Sequence, residues 1–270
     1  MTDQLTTTPS TSVTTISTGD GTTIEVERHG AAGPTVVLVG GILGDRSQQS
    51  PVAELLASRF TVHNYDRRGH GASGFTPPYS TRREVEDLAA VIEAAGGSAS
   101  VYATSGCSVI ALQAAEAGVP IARLALWEPP FIVDGSRPPV PTDYRQQLEA
   151  LLAEGRRGDM VALFLTVAAG IPEPFVEQLR HAPFWEAQEA FAPTLIHDAT
   201  MMGDYTIPVA AASANVPTLV LDGGTTPWLS TAADAVAATL PDAHRETLAG
   251  QQHNVDPTAI APALTTHFSS

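Results

Sequence analysis

The stretch Tyr102–Ala115, YATSGCSVIALQAA, sets a serine between an apolar run and a helical pattern. A serine at the end of a strand and the start of a helix can be a nucleophile, because the sharp turn presents its hydroxyl above the sheet. The turn needs small residues two places before and two places after, where glycine fits most easily. Around Ser105 those residues are Ala103 and Cys107. Ser108 competes, with Gly106 two before it, but Ile110 two after it is branched where the turn has least room. Ser105 is therefore the candidate, although the same pattern also fits a serine that merely caps a helix. An acyl-transfer serine needs a base, a carboxylate to orient that base, and two backbone N–H groups for the oxyanion. Of eight histidines, His253 in LAGQQHNVDP follows the last expected strand and precedes the final helix. A loop there can hold an imidazole over Ser105. Cys107 lies two places beyond the nucleophile and reads as buried packing.

Positioning these groups requires a sheet. TTIEVERHG alternates with period two after TGDG and reads as part of an antiparallel hairpin. PTVVLVGG is a continuous apolar run, as expected of a strand covered on both faces. RFTVHNYD, SASVYATS, ARLALWE, PTLVLDGG and HRETLAG are further strand candidates, and helical patterns separate most of them. Strands alternating with helices imply a mostly parallel sheet with helices on both faces. The rhythm breaks between 134 and 214, where helical stretches and prolines replace strands. Residues 15–133 and 215–270 thus read as one α/β core, 134–214 as a helical cap inserted after the sixth of eight strands, and 1–14 as a flexible polar tail.

Composition narrows the chemistry. The chain has 270 residues and a net charge of −15, and all 14 basic residues are arginine. Without lysine there is no Schiff-base amine, no pyridoxal phosphate anchor and no P-loop. The acidic balance argues against nucleic acid and anionic membrane as partners. No apolar run is long enough to span a bilayer. The N-terminus has no signal-like region, so a cytoplasmic location is expected. One cysteine precludes an intrachain disulfide and a thiolate cluster, and no metal is expected. GHGASG, Gly69–Gly74, matches a dinucleotide fingerprint, but FTPPYS follows it where a helix N-terminus should stand. No cofactor is expected.

VVLVGGILGD, YDRRGHGASG, the Ser105 turn, ALWEPPF, PTLVLDGG and GQQHNVDP together resemble the α/β-hydrolase fold superfamily in order and spacing. The likeness runs from about Thr15 to the end. It is greatest with small actinobacterial-type α/β fold hydrolases that carry an EPPF segment and a short helical cap. The resemblance implies an oxyanion hole from the N–H groups of Ile42 and Gly106, although Gly40-Gly41 stands where the family usually has His-Gly. It also implies that Asp66 and Arg67 tie a loop together. The usual acid position corresponds to Thr226, which carries no charge. Some members, haloalkane dehalogenases among them, place the acid where Glu128 stands, and a strand there lies one ladder spacing, about 4.8 Å, from that of Ser105. Glu128 is the expected acid and Asp222 the alternative. Trp127, Phe131, Phe164 and Trp228 are candidates for an apolar substrate pocket.

These residues imply a serine hydrolase cleaving a carboxylic ester or lactone of a small, largely apolar molecule. The departures at Ala103 and Cys107 leave two rivals open. One is a non-hydrolytic lyase or cyclase of secondary metabolism on the same fold, and the other a ligand-binding homologue that has lost catalysis.

Overall fold

A computed structural model describes residues 11–133 and 135–270. The period-two stretch forms β2 (Thr23–His29), which buries Ile24 and Val26 and pairs antiparallel with β1 (Thr11–Ser17). Asp20 closes the turn between them by accepting from Thr18 Oγ1 and the Thr22 amide. The strand begins at Thr11, inside the stretch expected to be tail. Thr11–Thr14, rich in β-branched residues, extends the ladder with β2. Residues 1–10 of that expected tail lie outside the described residues.

Six more strands complete the sheet: β3 (Thr35–Val39), β4 (Thr61–Tyr65), β5 (Ala99–Thr104), β6 (Ile121–Trp127), β7 (Thr218–Gly224) and β8 (Ala243–Gln251). Their order is β1-β2-β4-β3-β5-β6-β7-β8. β2 is antiparallel to both neighbours, and every other adjacent pair is parallel. The connections are α1 (Ser50–Leu56), α2 (Thr81–Ala94) and α3 (Ser108–Glu116). Between β6 and β7 the chain forms α4 (Tyr144–Ala153), α5 (Arg157–Leu163), α6 (Glu173–Leu179), α7 (Trp185–Phe191) and α8 (Leu195–Met202), with no strand among its described residues. α9 (Pro227–Thr239) follows β7, and α10 (Pro257–Phe268) follows β8. No helix among the described residues is long and apolar enough to cross a membrane.

Alternation along the central strands divides the core. Val36 and Leu38 face a cluster with Val52 and Leu56 of α1 and Ile260 and Leu264 of α10. Val37 and Val39 face the opposite cluster, with Leu88 of α2, Ile110 of α3 and Val236 of α9. Both faces of β5 are therefore covered, and all six of its residues are buried.

One buried ionic cluster fixes the loop after β4. Asp66 accepts from the backbone of Arg46 and Ala72, and a Cβ on Gly71 would lie 2.3 Å from its Oδ2, so only glycine lets the loop close there. Arg67 makes a two-pronged pair with Glu84 of α2 and a 2.9 Å contact with Asp198 of α8. Burial alone would raise the Glu84 carboxyl, but the Arg67 guanidinium holds it below the usual range. Arg67→Ala leaves two buried carboxylates without their cation, so unfolding free energy should fall by about 3–5 kcal/mol in urea titration. A loss below about 1 kcal/mol would contradict this account.

Candidate active site

β5 ends at Thr104, and Ser105 follows with φ of +52° before a single 3-10 turn, Ser105–Cys107, leads into α3. An L-residue in the left-handed region costs roughly 1–2 kcal/mol and persists only where its surroundings enforce it. Here enforcement comes from a fully buried strand on one side and a buried helix on the other. Ser105 is half-buried, whereas Ser108 lies within α3 and is fully buried. The strained hydroxyl-bearing residue is thus Ser105.

The two departures from glycine are accommodated differently. Ala103 is small enough to sit inside the sheet, fully buried. Cys107 turns its thiol toward the loop after β3 and donates to the Gly40 carbonyl. Burial pushes that thiol up to about 12, so it stays protonated near neutrality. Gly106 is packed so closely that a Cβ there would lie 2.9 Å from both Ile42 Cδ1 and Met202 Sδ. The Ile42 segment is therefore seated against the turn, and Leu43 beside it takes φ of +56°.

Glu128 follows β6 directly, with φ of +44° and its side chain wholly buried. Its amide donates to Leu221 of β7, and the Gly223 amide donates to Oε1 at 3.1 Å. The other oxygen, Oε2, lies 2.6 Å from His253 Nδ1. Trp127 reaches the same loop, its Nε1–H donating to the His253 carbonyl at 2.8 Å. Adjacent residues at one strand end thus hold both the ring and the backbone of His253. That side chain remains 46% exposed, open to water.

Asp222 is engaged elsewhere. Its Oδ1 pairs with Arg245 at 2.8 Å, while Oδ2 accepts from the Gly224 amide and the Ser230 hydroxyl. Burial works against its charge, but hydrogen bonds from Ser230, Thr247 and Arg245 hold its carboxyl below the usual range. Thr226 precedes α9 as its N-cap.

Ser105 and His253 line one cavity of about 730 Å³ at the carboxyl ends of the parallel strands. Trp127, Phe164 and Trp228 also line it. Phe131, expected there, does not. It turns into the core and is fully buried, because Pro129-Pro130 redirects the chain after Glu128. The Gly69–Gly74 loop has no helix behind it, since α2 starts at Thr81. Among the described residues no group of three or more His, Cys, Asp or Glu side chains is placed to hold a metal ion.

A family model described as the alpha/beta hydrolase family matches residues 30–263. The chain belongs to this family. An alpha/beta hydrolase from Sphaerobacter thermophilus is 52% identical, with 94% of this chain and 100% of that one covered and a TM-score of 0.90. An enol-lactonase from Burkholderia xenovorans shares the fold at 21% identity, covering 95% and 100% of the two chains, with a TM-score of 0.70. A thermophilic esterase from Thermogutta terrifontis does so at 21% identity, covering 94% and 97%, with a TM-score of 0.69. No curated protein matches the chain.

In this alpha/beta hydrolase the helical insertion contributes a feature that the sequence pattern conceals. DMVALFLTVAAG reads as one helix, yet α5 ends at Leu163 and a π-helical turn spans Phe164–Ala168. Arg137 donates to the carbonyls of Val167 and Ala168 that the widened turn presents, and Gly170 ends it with φ of +74°. Phe164, Leu165 and Ala168 from this turn line the cavity. Tyr205, Gln48 and Gln188 also line it and went unread, because nothing local marks a side chain as facing a cavity built from distant loops.

Proposed function

We propose that this hydrolase cleaves a carboxylic ester or lactone of a small, largely apolar molecule, with Ser105 as nucleophile, His253 as base and Glu128 as its orienting acid. The observation that carries the reading is the 2.6 Å contact between His253 Nδ1 and Glu128 Oε2, beside a cavity that His253 shares with a left-handed Ser105. With Nδ1–H donating a hydrogen bond to Glu128, the lone pair rests on Nε2. Nε2 takes the Ser105 proton as Oγ bonds to the substrate carbonyl carbon, and the carbonyl oxygen becomes negative. The amides of Ile42 and Gly106 bind that oxyanion. Collapse expels the alcohol, which takes its proton from His253. Water, deprotonated by the same ring, then releases the acid and restores Ser105.

The lining favours apolar groups: Phe164, Ile171, Trp228 and Leu229 offer contact area, and the helical insertion serves as the cap. Two fold neighbours, an enol-lactonase and an esterase by name, add lactone and ester chemistry to the options. A fluorophosphonate should label the protein at Ser105, as mapped by mass spectrometry, and aryl esters should be hydrolysed. Absence of labelling with ligand still binding in the cavity would favour non-hydrolytic chemistry or a lapsed binding protein.

Trp127→Phe tests how the histidine loop is held. Losing the indole donor removes one hydrogen bond, worth about 1 kcal/mol, from a loop that must stay registered. kcat for an aryl ester should drop roughly fivefold. An unchanged kcat would show that the loop needs no such tether.

A further inference from the structure

The polar side chains of the cavity wall are mostly neutral. Gln48, Gln49, Thr104, Gln188, Gln252 and Asn254 line it, and no described lining residue carries a carboxylate or a guanidinium. A cation nevertheless stands behind the wall. Arg137 places its Cζ 4.7 Å from the centroid of the Trp228 ring and spends two donors on the π-turn carbonyls. It is half-buried and has no carboxylate partner among the described residues. Trp228 and Ala168 line the cavity, whereas Arg137 does not, so the indole and the turn lie between the charge and the cavity.

We propose that the acyl part of the substrate is uncharged, and that Trp228 enforces this selection by covering Arg137. The proposal rests on the hydrolase reading above and adds the substrate's charge class. A terminal carboxylate entering this cavity would give up its hydration for neutral amides, an exchange that strongly disfavours an ion. A terminal amide of the same shape would trade water for the Gln and Asn side chains at little net cost. Uncovering the guanidinium would supply the missing partner for an anion.

The test compares 4-nitrophenyl monoadipate with its terminal amide, esters of equal length whose chain is too long for easy attack on their own carbonyl. At about 1 M salt the Debye length is about 3 Å, so repulsion from the overall charge is screened. The amide should exceed the monoadipate in kcat/KM by about 30-fold or more. In Trp228→Ala that ratio should fall at least about tenfold, and Arg137→Gln in the same background should restore it. Using a ratio cancels any general loss from removing the indole. Equal turnover of the two esters by the native protein, or an unchanged ratio in Trp228→Ala, overturns the proposal.

If neither ester is hydrolysed and the fluorophosphonate leaves Ser105 unmodified, the hydrolase reading fails separately. The charge preference is then read by calorimetric binding of methyl adipamate and methyl hydrogen adipate to Ser105→Ala. Equal or tighter binding of the anion overturns it.

Discussion

Ser105→Ala should lower kcat/KM for aryl esters by about 10⁴-fold or more and abolish fluorophosphonate labelling. The magnitude follows from the proposed role: without the hydroxyl no acyl-enzyme would form, and the amides of Ile42 and Gly106 could assist only direct attack by water. The fold should survive, because alanine occupies φ of +52° at about the same penalty as serine. Ser105→Gly extends the test. It should be equally inactive yet more stable by about 1 kcal/mol, since glycine relieves the left-handed strain. Activity within tenfold of native in either variant, measured on homogeneous protein with an unchanged circular dichroism spectrum, would remove Ser105 from the chemistry. That result would return the turn to the role of a helix start.

The second large effect separates two carboxylates. Glu128→Gln keeps the size of the side chain but loses the charge that, in the proposed triad, stabilises a protonated His253 and selects its tautomer, and kcat should drop by about 10³–10⁴-fold. Asp222→Asn should leave kcat within about threefold while costing about 1–3 kcal/mol of stability, because Arg245 loses its charge partner and the Gly224 and Ser230 donors lose a charged acceptor. Rate constants and urea midpoints for both variants decide the matter. The reverse pattern, slow Asp222→Asn and near-native Glu128→Gln, would assign the acid to Asp222.

Phe131 and Trp127 show where reading along the chain runs out. Both are aromatic, both lie near the end of β6, and both read as wall residues. Trp127 ends the strand with its indole bonded to the His253 carbonyl. Phe131 lies beyond two prolines and is turned into the core. A strand's period of two predicts the first orientation but carries no information past the point where the strand stops. The same limit hid the π turn at Phe164–Ala168. Its last two carbonyls, at Val167 and Ala168, are met by Arg137, far back in the sequence, and no local pattern announces that partner.

The coupling between Cys107 and Gly40 makes the point from the other side. Each departure, taken singly, looks like damage to a familiar turn. In the fold they meet, the thiol donating to the carbonyl of the loop after β3. A side chain two residues past Ser105 fits because its thiol finds a backbone acceptor on the neighbouring loop, a partner that does not depend on residue 40 being glycine.

The sequence by itself determined the parallel strands, the helices between them and the placing of Ser105 and His253 at loop ends, because apolar periodicity and turn residues act over a few neighbours. Tertiary structure alone decided that Glu128 and not Asp222 touches the imidazole, that Trp228 stands between Arg137 and the cavity, and that Phe131 packs inward. Those outcomes depend on how far one strand end lies from another and which way a loop turns on leaving it. Distances of that kind are fixed by the packing of the whole sheet, to which no short stretch of residues has access.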